Sequence, residues 1–281
     1  ARDYRGFQFG HREVVQYFVK NGEAYDEMLL TPRDNNQPEI FLLFYSAYPP
    51  ARLHASGQSG FEQATKMKVA EPDGYFPNPN HGKILFALTP AELGFFSSYE
   101  TKHTVSAPDG RPAYVIIEPG RFKDFARSWW VAGPYPIEDT SPPPSFDPAR
   151  LQGTAPGGRS WQPTDAMRAT VDLNSVLERD GEEESWAWAT NMIYSDFDRE
   201  VRVSAAFDHA GEVWINGSPV ALLHDPEKPE LSPDAWLGTA SLHRGENSVA
   251  IRNCGSIYGR RFLFRLAEPD DTQLRRAWWE Y

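Results

Sequence analysis

The residues best placed to do chemistry in this chain are tryptophans and tyrosines lying close in sequence to hydrogen-bonding side chains. An indole or phenol ring offers a flat apolar face to the C–H side of a sugar ring, while amide and guanidinium groups can hydrogen-bond its hydroxyls. Trp161, Trp214, Trp236 and Tyr258 are the candidate platforms, and Asn191, Arg252, Asn253 and Arg260 are the candidate polar partners. Trp214 stands between Val213 and Ile215, so strand alternation turns it to the face opposite theirs, toward solvent or another domain. Trp129, Trp186 and Trp188 read as packing residues. Asp196 and Asp198 flank Phe197 in a turn, where hard carboxylate oxygens could hold a structural Ca2+ or simply be solvated.

Catalytic signatures are missing. The sequence has no Gly-x-Ser-x-Gly elbow, no P-loop, no His-Glu-x-x-His and no Cys-x-x-Cys. Seven histidines, at 11, 54, 81, 103, 209, 224 and 243, are scattered without metal-ligand spacing and read as loop or surface residues. The single cysteine, Cys254, lies beside a strand and reads as a small buried hydrophobe rather than a nucleophile. Glycoside hydrolysis needs two carboxylates held apart across a cleft, and 39 acidic residues make chance pairs inevitable, so the sequence selects none.

A net charge of −11 opposes nucleic acid, which requires a basic face, and opposes an anionic membrane surface. One cysteine excludes an internal disulfide framework. No apolar run approaches the roughly 18 residues of a membrane span. The chain begins at Ala1, consistent with a removed signal peptide and an extracellular or periplasmic location, or with a fragment of a longer chain.

These side chains must be carried by β-structure. The stretch 186–220 reads as an antiparallel meander: Val201, Val203, Ala205 and Phe207 alternate with polar or small residues, and Asn216-Gly217 suits a type I′ hairpin turn. Later strands are expected at 248–252 and 261–266, and the tail with Trp278-Trp279 should be helical or docked. Before residue 120, strands are expected at 14–20, 27–31, 40–47, 52–55, 65–69, 83–88, 101–106 and 113–118, punctuated by Asn-Gly, Pro-Pro and Pro-Asp-Gly turns. Thr89, Pro90 and Glu92 should cap one short helix over 90–99, and Asp172 a helical turn over 172–177. The expected fold class is all-β, with two β-sandwich, jelly-roll-like domains in tandem and few short helices, over 1–121 and 122–281.

The second half resembles the galactose-binding-like jelly-roll modules found beside bacterial carbohydrate-active enzymes, over about residues 125–268. The matching features are Trp130-Val131-Ala132-Gly133-Pro134-Tyr135, Val171-Asp172-Leu173-Asn174, the strand 187–194 with its turn 195–200, the hairpin Val213-Trp214-Ile215-Asn216-Gly217, the pattern Leu-x-x-Gly-x-Asn-x-Val-x-Ile over 242–251, and the closing strand 261–266. One departure is Asp208-His209-Ala210-Gly211, where many such modules carry Asp-Asp-Gly, so the resemblance transfers no ion or ligand contact at that turn. The resemblance implies a non-catalytic carbohydrate-binding or accessory region of an exported bacterial protein, with a glycan or a partner domain as its ligand. Two other readings remain open: an interaction subunit of a larger assembly, favoured by the Trp278-Trp279 tail, and a glycoside hydrolase or lyase with its cleft between the domains.

Overall fold

The computed structural model describes residues 9–33, 35–74, 82–139, 155–164, 168–177, 184–224, 231–233, 235–256 and 259–279. The chain forms two compact units, Ala1–Lys123 and Asp124–Tyr281. It is built mainly of β-sheet, in three sheets rich in antiparallel pairs. Among the described residues, no helix is long and apolar enough to cross a membrane.

In the first unit the elements run α1 (His11–Asn21), β1 (Glu27–Leu30), α2 (Pro38–Tyr45), α3 (Pro50–Thr65), β2 (Met67–Val69), β3 (Ile84–Leu88), β4 (Tyr99–Ser106) and β5 (Pro112–Pro119). The strands make one sheet in the order β2-β1-β3-β5-β4, with β1 parallel to both β2 and β3. Three stretches expected as strands, 14–20, 40–47 and 52–55, are helical instead. On α1 the buried residues are His11, Val14, Val15 and Phe18, a spacing of three, four and seven that fits one helical stripe. That stripe prevails over the strand preference of its valines and aromatics. In α2 the apolar run has no readable period, but Pro38 in the first turn marks a helix start.

The helix-side core gathers Val14, Val15, Phe18, Leu42 and Phe61 against Met28, Leu30, Leu85 and Ile116 of the sheet. Leu29, Phe86, Leu88, Val115 and Ile117, from the other parity of β1, β3 and β5, are buried too. Coverage on both faces is what parallel pairing requires. The expected cap at Thr89 forms, with Glu92 accepting from the Thr89 amide and hydroxyl at 2.8 Å each, and it opens a 3-10 helix over Pro90–Phe95. Thr31 donates a third bond to Glu92 at 2.6 Å. Burial raises the Glu92 pKa above the ordinary carboxylate value, against these hydrogen bonds. His11 departs from the surface placement expected of the histidines: it is buried, stacked on Phe41 at 4.5 Å and 3.2 Å from the Tyr114 hydroxyl.

The second unit is a β-sandwich. Its strands are β6 (Trp130–Pro136), β7 (Gln162–Pro163), β8 (Val171–Asp172), β9 (Ser185–Ser195), β10 (Arg199–Phe207), β11 (Ala210–Ile215), β12 (Ser218–His224), β13 (Trp236–Leu242), β14 (Gly245–Gly255), β15 (Arg261–Ala267) and β16 (Ala277–Trp279). One sheet runs β13-β10-β15-β8; the larger runs β12-β11-β14-β9-β6-β7, with β16 also paired to β9. Between them lies a core of Trp129, Val131, Ala187, Ala189, Val203, Phe207, Val213, Ile215, Val249, Ile251, Phe262 and Phe264, with others. Asn216 and Gly217 take φ values of 52° and 73°, forming the expected hairpin that closes Ile215 against Ser218. Asp172 accepts from the Asn174 amide at 3.0 Å and caps the expected short turn, a 3-10 helix over Leu173–Ser175. The tail docks as strand β16, placing Trp279 in the sandwich core beside Trp129 and Phe264.

Candidate functional site

The larger sheet has two faces, and period two assigns every residue to one of them. Val131, Ala187, Ala189, Val213, Val249 and Ile251 fill the inner face. The alternate positions form registered rows on the outer face. Trp130, Thr190, Ala250 and Trp214 stand opposite one another across β6, β9, β14 and β11. The adjacent row is Ala132, Trp188, Arg252 and Glu212. Beyond a register shift after Ala132, Tyr135 faces Trp186.

An aromatic cluster results. Ala132, Tyr135, Ala155, Trp188 and Ala250 are buried within it, and Trp161, Trp186 and Trp214 pack against it half-buried. Small residues at 132, 190 and 250 leave room beside the rings; Trp188 and Tyr135 are buried, while Trp161, Trp186 and Trp214 are half-buried. Trp188, 1% exposed, is the floor, and its ring meets Trp214 at 5.2 Å. The segment before β7 crosses the edge of the cluster, where the Tyr135 hydroxyl donates to the Pro156 carbonyl at 3.0 Å. Burial pushes the Tyr135 pKa up to about 12, so this hydroxyl stays a neutral donor.

Arg252 is the polar centre of this face. Its guanidinium sits 4.3 Å from the Trp186 ring centre and 5.9 Å from that of Trp188, and pairs with Glu212 at 3.5 Å. A cation held over an indole gains from the ring quadrupole and keeps its donor edges in a fixed plane. The Trp186 indole N–H donates to the Ile137 carbonyl at 2.8 Å, fixing that ring from the other side. The arrangement puts half-buried ring surface and the Glu212 carboxylate in one patch beside the buried Arg252.

Of the residues singled out from sequence, Trp161, Trp214 and Arg252 come together here, and Trp214 points outward as alternation requires. Asn191 and Asn253 do not join them. Both are buried, and both share the parity of inward residues: Asn191 pairs with Val249, Asn253 with Ala187. Asn191 donates to the Ser128 carbonyl at 2.6 Å, a structural tie. Arg260 is buried at the end of the sandwich, donating to the Gly255 carbonyl at 2.9 Å and to Ser185. Trp236 begins β13, in the other sheet. Tyr258 lies outside the described residues.

Asp196 pairs with Arg276 at 3.3 Å, and Asp198 accepts from the Arg244 amide at 2.6 Å. Among the described residues no three His, Cys, Asp or Glu side chains converge. Cys254 is buried as expected, and burial pushes its thiol pKa up to about 11. Trp129 and Trp188 are packing residues, as expected. Trp186 is more than that, since it is half-buried on the outer face and carries Arg252. The signal was present in Trp-Ala-Trp-Ala at 186–189, where indoles take one parity and alanines the other.

No family model matches this chain, and no curated protein matches it. Its structure is similar in part to several solved ones. A β-glucosidase from Kluyveromyces marxianus matches at TM-score 0.32 and 10% identity, over 91% of this chain and 28% of that one. A Faecalibacterium prausnitzii β-glucuronidase matches at TM-score 0.29 and 18% identity, over 47% of this chain and 20% of that one. An anti-sigma factor domain-containing protein from Clostridium clariflavum matches at 0.31 and 12%, over 54% and 45%. The chain thus spans well under two thirds of each of these proteins. Likeness at this level identifies neither a family nor an activity.

Proposed function

We propose that the second unit is a non-catalytic carbohydrate-binding module, serving as an accessory region of an exported carbohydrate-active protein. This reading extends the resemblance of residues 125–268 to galactose-binding-like modules. The observation that carries it is the gathering of half-buried Trp161, Trp186 and Trp214 around Arg252 and Glu212 on one outward sheet face. Soluble proteins seldom leave several indoles together at a surface without something to cover them. Paired ring faces and fixed hydrogen-bonding groups are what a sugar with apolar and hydroxyl-bearing sides requires. Affinity electrophoresis through gels containing soluble polysaccharides tests it: the protein should be retarded in at least one gel, and Trp214→Ala should be retarded less in that gel while keeping the native fold by far-ultraviolet circular dichroism. Equal mobility of the two proteins in every gel would remove the reading.

A second reading, attachment to a partner protein, rests on the first unit. Phe44 is 73% exposed on α2 and Ile40 one turn earlier is 53% exposed, with Val19 exposed on neighbouring α1. The Trp278-Trp279 tail supports it less than the sequence suggested, because Trp279 is core. Phe44→Ser should abolish co-purification of such a partner and leave glycan retardation unchanged; loss of both together would contradict separate sites.

A further inference from the structure

We infer that this outer face takes an extended, uncharged oligosaccharide lying across the strands, in preference to a monosaccharide or a uronate- or sulfate-bearing glycan. The inference rests on the carbohydrate-binding reading above and adds ligand length and charge to it.

Length follows from the sheet. Trp161 immediately precedes β7, and Trp214 is on β11. The order β11-β14-β9-β6-β7 places four strand spacings between them, about 19 Å. Trp186 lies on β9 between the two, in the row of Cys254, four residues along β14 from the row of Trp214. Those offsets put Trp186 and Trp214 about 16 Å apart at the backbone. A chain crossing the strands can meet Trp161, Trp186 and Trp214 in succession. Glu212 on β11, paired with the buried Arg252 of adjacent β14, stands near the middle of that path as an acceptor.

Charge follows from the same residues. Arg252 is already countered by Glu212 and committed to the faces of Trp186 and Trp188, so its positive field is largely spent within the protein. Arg159 stands at the far edge, near the Tyr135 ring at 5.5 Å and donating to the Gly133 carbonyl at 3.4 Å, and Glu184 lies just before β9. The unit as a whole holds 25 acidic against 15 basic residues, a field that repels polyanions and is screened over about 8–10 Å at physiological salt. A neutral chain meets no such penalty, and its hydroxyls can donate to Glu212.

The test uses calorimetric titration of the whole chain with two ladders from one to six sugar units, at low and at physiological salt. One ladder is neutral (gluco-, manno- and xylo-oligosaccharides with β-1,4 links) and one is acidic (oligogalacturonides). The expected result is affinity rising with length in a neutral series, no binding of the acidic series, and little dependence on salt. Trp161→Ala and Trp214→Ala should each weaken the longest neutral ligand by about three- to tenfold and flatten the dependence on length. Glu212→Gln should admit the acidic series at low salt. Salt-sensitive binding of oligogalacturonides to the unaltered protein would overturn the charge inference while leaving the site in place. Equal affinity for one and six units would overturn the length inference. Binding that ignores both tryptophan substitutions would overturn the site itself, and with it the proposed function.

Discussion

Trp129 and Trp130 are neighbours in the chain with opposite fates, and substituting each by alanine should separate the two faces of the larger sheet. Trp129 is 2% exposed. Its ring meets Phe262 at 5.1 Å, Phe264 at 5.5 Å and Trp279 at 6.3 Å, and its N–H donates to the Ala126 carbonyl at 3.1 Å. Truncating a buried aromatic to alanine costs about 3–5 kcal/mol, and here it also leaves the Ala126 carbonyl without that donor. For a domain of this size each kcal/mol moves the melting temperature by about 2–4 °C. Trp129→Ala should therefore lower the melting temperature of the second unit by roughly 6–20 °C. Trp130 is half-buried and stands in the outer row opposite Thr190, so its removal should cost about 1 kcal/mol and lower melting by less than about 4 °C. Differential scanning calorimetry reads both, with near-ultraviolet circular dichroism reporting which unit melts. Equal losses, or a larger loss for Trp130, would show that the outward face is not where the register puts it.

Other consequences concern single groups. A Cβ on Gly211 would lie 2.2 Å from the Phe207 ring, so Gly211→Ala should destabilise the second unit by about 1–3 kcal/mol in urea unfolding. Cys254 should resist alkylation in the native protein at pH 8 and react fully in denaturant, because a thiol with a pKa near 11 is almost wholly protonated there. Burial raises the Glu92 pKa in the folded state, so its contribution is greatest below the unfolded carboxylate pKa and is lost as pH rises through the folded value. The stability of the native protein relative to Glu92→Gln should accordingly fall as pH rises through that window, read from urea midpoints; a difference that grows with pH would reverse the sign of this reasoning.

Much of the second unit is legible in its sequence because antiparallel strands with one buried face alternate. Val201, Val203 and Ala205 announce their facing, and Asn216-Gly217 announces the turn. The same rule, carried one step further along β14, turns Asn253 inward with Val249 and Ile251 and leaves Arg252 outward. Residue type suggests ligand contact for both, but only Arg252 reaches the outer face. Trp186 and Trp188 are harder to read, because β9 is buried over most of both faces and hydrophobicity there does not separate inside from outside. In the first unit, valine-rich and aromatic stretches carry strand preference while their spacing carries a helix. On α1 the decisive residue is His11, whose burial completes the stripe with Val14, Val15 and Phe18 yet is invisible to a hydrophobic pattern. Glu92 illustrates the opposite case, where capping chemistry alone locates an element start that the structure reproduces.

On the proposed function, indoles on the outer sheet face meet a glycan and those in the sandwich core do not. Nine tryptophans give nine indole N–H signals in a 15N-resolved spectrum, and titrating a retained neutral oligosaccharide into the labelled protein addresses each directly. The signals of Trp161, Trp186 and Trp214 should shift with a common dissociation constant while that of Trp129 stays in place. Shifts confined to other tryptophans, with those three unmoved, would contradict it.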